Sequence, residues 1–247
     1  MSGNLAGLAG FGAVLLLIFA GVPVAIAMAV IGVVGMALLA PWNAVGFILG
    51  SVPYDAVSPY TLSVVPLFIL MGVLSAHGGL SRELYQAVNA AIGHWRGGLA
   101  MATVGACAAF GGICGSSLAT AATMCRVALP EMRANRYDDR LACAVIAAGG
   151  TLGILIPPSI IMSIYGLLTY TSIGKLFIAA LLPGVLGTAL YMAAVRVVVA
   201  LNPGYAPPAP RSTWRQRLAA LVKVWPVALL FLVVIGGIYL GLSLIHI

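Results

Sequence analysis

Apolar residues run through this chain in long blocks that polar and charged positions interrupt only briefly. The first 54 residues hold no Asp, Glu, Lys or Arg, enough length for two membrane spans at about 20 residues each. Gly21-Val22-Pro23 divides them, because glycine and proline punctuate helices. The pattern predicts helices over 4–20 and 23–40. Pro41-Trp42 marks an interface, since tryptophan settles at headgroup depth. With Pro53, Tyr54, Asp55, Pro59 and Tyr60 in it, the 41–60 segment reads as a loop with a shallow stretch. A third helix is expected over 61–77, stopping at His77-Gly78-Gly79.

Residues 80–96 change character. Arg82, Glu83, His94, Trp95 and Arg96 interleave with Leu84, Val88 and Ile92, a spacing that predicts an amphipathic helix lying along the membrane surface. The uncharged stretch from Gly97 to Cys125 is too long for one comfortable span and too short for two. Its centre, Gly111-Gly112-Ile113-Cys114-Gly115-Ser116-Ser117, is small and polar, so two half-length helices meeting at a tip, a re-entrant hairpin, fit it best. The most charged run follows, Arg126 to Arg140. Residues 141–170 form one apolar element interrupted at Gly149-Gly150-Thr151-Leu152-Gly153 and at Pro157-Pro158-Ser159, which predicts a broken helix. Another span is expected over 174–196, then a polar loop from Asn202 to Lys223, then a last span from Trp225 to about Leu242.

Composition turns this pattern into a class. Of 247 residues, 62% are hydrophobic and 7% charged, with a mean hydropathy of +1.13; a soluble domain carries about 25% charged residues. A soluble enzyme, a nucleic-acid binder and a disordered chain are excluded. The chain is expected to be an all-α integral membrane protein, a multi-span helical bundle with a re-entrant helical hairpin and a discontinuous helix. Its first apolar stretch lacks a basic leader and runs too long for a cleaved signal peptide, so it reads as a span.

The net charge of +7 then concerns orientation, because Lys and Arg collect in cytoplasmic loops. In the predicted layout the basic residues at 82, 96, 126, 133, 136, 140, 196, 211, 215, 217 and 223 share one face, and only Lys175 falls opposite. This puts the N-terminus and Asp55 outside, opposite the cytoplasmic 80–96, 126–140 and 196–223 segments. Cys107, Cys114, Cys125 and Cys143 form no CxxC pair and lie among small residues, so they read as buried packing residues. His77 and His94 suit interfacial positions, and Glu131, Asp138 and Asp139 suit solvated pairing with arginines. No GxxxxGK[ST], GxSxG or HExxH occurs, so neither ATP hydrolysis nor another enzyme activity has residues to carry it.

Chemistry is expected where a helix breaks inside hydrocarbon, since exposed backbone there must be shielded or line a wet cavity. Half-helix N-termini attract anions, and unwound carbonyls coordinate cations. The tip offers the hydroxyls of Ser116, Ser117, Thr120 and Thr123; the break offers Thr151 and Ser159. Uncharged hard oxygens suit Na⁺ and not zinc. Packing is the competing reading, because glycine and serine also let helices approach closely.

The run GGICGSSLATAATMCRVALPEM (111–132), Tyr137-Asp138 and AAGGTLGILIPPSIIMSIYG (147–166), with PLFILMG (66–72) and GHWRGGLA (93–100) upstream, closely resembles the large membrane subunit of the TRAP (tripartite ATP-independent periplasmic) transporters. The likeness covers residues 10–242. It implies an elevator-type transport domain that carries Na⁺ with a carboxylate solute, a C4-dicarboxylate or another organic or sugar acid. It also implies two partners, a periplasmic solute-binding protein and a small four-helix membrane subunit. Sodium is the coupling ion and no other cofactor is expected. By that match, Gly112, Cys114, Gly115, Ser116, Ser117, Thr151 and Gly153 would bind sodium, between the 112–117 and 151–154 backbones. Ser116, Ser117, Thr120, Pro157, Pro158 and Ser159 would bind the solute.

The resemblance divides the chain into 1–96 (spans and amphipathic helix), 97–170 (transport domain, first repeat), 171–242 (further spans with the 197–223 loop) and an atypical tail, 243–247. Family members continue into a second inverted repeat, so the chain is expected to be an N-terminal half. Cys125 stands where the family often has glycine. The alternatives are a non-transporting membrane fragment and a related sodium/anion symporter that needs no binding protein.

Overall fold

Gly21 adopts a left-handed φ of +86°, and with Pro23 it turns the chain between α1 (Gly3–Phe19) and α2 (Val24–Leu39). These bounds match the predicted pair. The computed structural model describes residues 3–59, 62, 64–207 and 213–239, entirely as helices, turns and connecting loops, with no strand among them. The predicted start of the third helix at Thr61, the end of the last span at Leu242 and the 243–247 tail lie outside the described residues.

The chain divides at Pro59 into two compact units. In the first, α1 and α2 fold back on each other around Gly10 and Ile31 and expose large apolar side chains such as Leu8, Phe11 and Leu38. The predicted 41–60 loop is instead a helix, α3 (Trp42–Val57). Pro41 stands just ahead of its first turn, where a missing N–H costs nothing, and Pro53 removes only one hydrogen bond near its end.

The second unit holds α4 (Val64–His77), α5 (Leu80–Ile92), α6 (Gly98–Cys114), α7 (Ser117–Ala134), α8 (Asp139–Leu155), α9 (Ile160–Leu168), α10 (Ile173–Leu201), a 3-10 turn at Pro203–Tyr205, α11 (Trp214–Lys223) and α12 (Trp225–Tyr239). Its axis is α6, buried at every position but Gly105 and Ala109. Small residues make this possible. Gly105 admits Met192 of α10 and Val88 of α5, and Gly149 of α8 rests on Cys107. The helix predicted over 80–96 is present as α5, but it buries Leu84, Tyr85 and Ala87 and packs on α6 instead of offering that face to lipid.

The chain does turn back at 115–116. Thr103 near the start of α6 touches Met132 near the end of α7, with Oγ1 to Sδ at 3.6 Å, and Leu99 N–H donates to the Tyr137 hydroxyl at 3.3 Å. The arms are longer than expected, because α7 runs on past Cys125 through Arg126, Glu131 and Arg133. The loop predicted over 126–140 shrinks to the four residues between α7 and α8. Cys107 and Cys114 are buried as expected, whereas Cys125 and Cys143 face outward from α7 and α8. Among the described residues, α10 alone is long and apolar enough to cross a membrane unbroken; α4–α5, α8–α9 and α11–α12 are bent by 65°, 41° and 44°.

Candidate ion and solute site at the hairpin tip

The two interruptions read from the sequence meet. Gly115 closes α6 at φ +63°, and a Cβ placed on it would lie 2.8 Å from the Pro158 carbonyl oxygen. Ile160 N–H, at the start of α9, donates to the Gly115 carbonyl at 3.4 Å. One step back, a Cβ on Gly111 would lie 2.6 Å from Gly153 Cα. Only glycine allows the ends of α6 and α8 to come this close.

Four helix termini result. The C-terminal ends of α6 and α8 carry partial negative charge, and the N-terminal ends of α7 and α9 partial positive charge. Ser116 caps α7, its Oγ accepting from Ala119 N–H at 3.4 Å, and Ser159 caps α9, accepting from Met162 N–H at 3.5 Å. At the end of α8, Ile156 N–H reaches the Leu152 carbonyl at 2.9 Å. The next two carbonyls, of Gly153 and Ile154, need donors at 157 and 158, which are prolines. Pro157-Pro158 therefore leaves them without intrahelical partners.

Thr120 lies one turn into α7, fully buried, and its Oγ1 has no hydrogen-bond partner. A Cβ on Gly153 would sit 2.8 Å from that oxygen and 2.9 Å from the Ser116 carbonyl. Thr120 Oγ1 and the Ser116 carbonyl, two uncharged oxygens, thus lie together against Gly153. Gly112 packs against Ile156 and the Pro157 carbonyl, Ser117 backs onto Gly150, and Ser159 is fully buried beside them.

Two expectations change here. The 149–153 segment is not unwound; α8 is helical to Leu155 and only 156–159 departs from it. The glycines there are contact surface: Gly149 meets Cys107, Gly150 meets Ala121, and Gly153 meets Thr120. Thr151 consequently stands away from the tip. Its hydroxyl donates to the Ala148 carbonyl at 2.7 Å and lies 3.2 Å from the Tyr191 hydroxyl of α10. The sequence reading also missed Gly72 of α4, where a Cβ would fall 2.9 Å from Cys114 Sγ. The signal was the glycine ending the PLFILMG run.

The site residues carry no formal charge. The charges gather at the other end of the hairpin, where Arg133 donates twice to Asp139, at 2.8 and 3.0 Å, in an exposed pair. Those hydrogen bonds hold the Asp139 carboxyl below the usual carboxylate range.

Helices apolar on their outer faces, with two interruptions joined at uncharged oxygens, describe a multi-helix integral membrane protein. The comparisons narrow this. The chain belongs to the family described as "Tripartite ATP-independent periplasmic transporter, DctM component", whose model matches residues 11–245. That is a family of inner-membrane permeases, not of enzymes. The chain is 40% identical to the C4-dicarboxylate TRAP transporter large permease protein DctM of Pseudomonas aeruginosa, over 76% of this chain and 44% of that one. It is 35% identical to the sialic acid TRAP transporter permease protein SiaT of Haemophilus influenzae, over 92% and 36%. It is 37% identical to the ectoine TRAP transporter large permease protein TeaC of Halomonas elongata, over 75% and 43%. The chain thus spans less than half the length of these relatives.

Proposed function

We propose that this chain acts within the large permease subunit of a sodium-coupled, binding-protein-dependent transporter that imports an organic anion, most readily a carboxylate, across the bacterial inner membrane. The observation that carries the reading is the meeting of four helix ends at the hairpin tip. Sodium sits where the first turn of α7 meets the C-terminal end of α8, held by the Ser116 carbonyl and Thr120 Oγ1 with the carbonyls that the α8–α9 break leaves unpaired. The solute's oxyanion faces the N-terminal ends of α7 and α9 at Ser116 and Ser159. Relatives named for C4-dicarboxylate, sialic acid, ectoine and isethionate support an organic acid without choosing one.

The α6–α7 hairpin and the α8–α9 break are re-entrant and discontinuous within the bilayer and move as the elevator body. A periplasmic binding protein delivers the solute, and a small four-helix membrane subunit accompanies the permease. The basic loops lie in the cytoplasm and the N-terminus in the periplasm.

The test is a sodium titration of radiolabelled solute uptake, with the full permease, its membrane partner and saturating binding protein in proteoliposomes. Gly115→Val places a branched side chain against the Pro158 carbonyl and should abolish uptake. Ser117→Ala removes a hydroxyl from the first turn of α7 and should raise the sodium concentration at half-maximal rate. Unaltered sodium dependence in both variants would make the tip a packing junction only.

A further inference from the structure

At the end of α5 the chain turns through Gly97, held left-handed at φ +74°, and this turn locks onto α10: a Cβ there would fall 3.0 Å from Val199 Cγ2. Trp95 and Arg96 are thereby set beside Arg196, whose guanidinium stacks over the Trp95 ring with Cζ 5.7 Å from the centroid. These three residues, with Val199 and Ala200, line a cavity of about 560 Å³. It presents two guanidinium groups and no carboxylate. Nearby, Arg217 of α11 reaches His94 Nδ1 at 3.4 Å, so the surroundings are cationic as well.

The depth of this cavity follows from α10. Between Lys175 and Arg196 the helix has no charged residue, and those 20 positions rise about 30 Å, the thickness of the hydrocarbon core. Arg196 is therefore level with the headgroups. Trp95, 45% exposed, is the residue type that settles there. On the hydrocarbon side of the arginine, Val185 and Leu182 stand on nearly the same face of α10 with exposed apolar side chains, a surface on which acyl chains lie and a soluble anion gains nothing.

We propose that the Trp95–Arg96–Arg196 cavity binds the phosphate of an anionic phospholipid, with its acyl chains running along the outer face of α10. Basic pockets between helices at the membrane surface recognise such headgroups. Arginine supplies paired N–H donors to the phosphate oxygens, while the indole covers the glycerol side. The lipid would pin the α5–α6 turn to the end of α10.

Native mass spectrometry of the full permease in neutral detergent tests this, with phosphatidylglycerol and phosphatidylcholine of identical chains as the probes. The parent should retain phosphatidylglycerol preferentially. Replacing both arginines (Arg96→Gln with Arg196→Gln) should weaken that retention about thirtyfold, from roughly fivefold for each cation near an anionic surface. Arg82→Gln, outside the cavity, should leave it unchanged. If the double variant does not fold, as judged by its melting in lipid-free detergent, the two single variants should each show the fivefold loss. Equal retention of the two lipids by the parent would overturn the proposal, as would an undiminished preference in the arginine variants. Displacement of phosphatidylglycerol by millimolar glycerol 3-phosphate would reassign the cavity to a soluble anion.

Discussion

Thr120 is a fully buried hydroxyl without a partner, and leaving such a group unmade is expensive. Thr120→Val keeps the shape and deletes the oxygen. If the hydroxyl is kept for sodium, the variant should need about tenfold more sodium for half-maximal uptake, since interactions with a charged group are worth about 1.5–3 kcal/mol. In sodium-free buffer it should melt no lower than the parent. A variant that loses stability while keeping its sodium dependence would assign Thr120 to packing. The Arg133–Asp139 pair makes a separate prediction about pH. Its carboxyl titrates below the ordinary value, so its contribution is present above about pH 4 and is lost as the pH falls through the depressed value. Asp139→Asn should therefore differ from the parent at pH 7 and converge with it in acid. The pair is exposed, so high salt should shrink the difference. Of the residues picked from the sequence, Ser116, Thr120 and Ser159 are brought to the junction because each stands where a helix starts anew. Thr151 is not, because a hydroxyl in mid-helix takes its direction from the helix face, which glycine spacing does not reveal.

At the level of elements, punctuation was legible and its meaning only partly so. Gly21, Gly79, Gly97 and Gly115 all adopt positive φ and all end or begin helices. Pro157-Pro158 breaks one as expected. Pro41 and Pro53 misled, because proline is tolerated before a helix and loses little near its end. The stretch Gly149–Gly153 misled for the opposite reason: glycines that weaken an isolated helix are retained where a neighbour's backbone must come close, which depends on α6 and α7 and not on the local sequence. The hairpin's far end rests on the bond from Leu99 N–H to Tyr137, which satisfies a first-turn donor of α6. Tyr137→Phe should cost about 1 kcal/mol in unfolding measurements, as a lost helix cap does. No loss on melting would show that water takes the hydroxyl's place.

For the whole molecule, the charge asymmetry is the most direct guide to how the second unit lies in a bilayer. Cysteine substitutions at Arg136 and Arg215, in a background without the four native cysteines, should both be shielded from a membrane-impermeant thiol reagent in intact cells. Lys175→Cys, at the other end of α10, should react. Labelling of Arg136→Cys from outside would overturn the layout. The class was legible from composition alone, since so apolar a chain cannot clothe itself for water. What composition could not reveal is that α5 turns inward onto α6, because the same amphipathic spacing suits a bilayer surface and a protein groove.

The burial of α6 also has a consequence in time. During synthesis this helix leaves the ribosome well before α8, against which Gly111 and the Cys107 side chain pack. Forty-one residues separate Cys114 from Leu155, so at about 5–20 residues per second the helix waits roughly 2–8 s for its neighbour. Through that interval α4, α5 and α7 can cover it, but the grooves at Gly111 and Cys107 still lack the helix that fills them. Ribosomes stalled before and after Leu155 should therefore yield nascent chains of sharply different protease resistance, with α6 protected only in the longer ones.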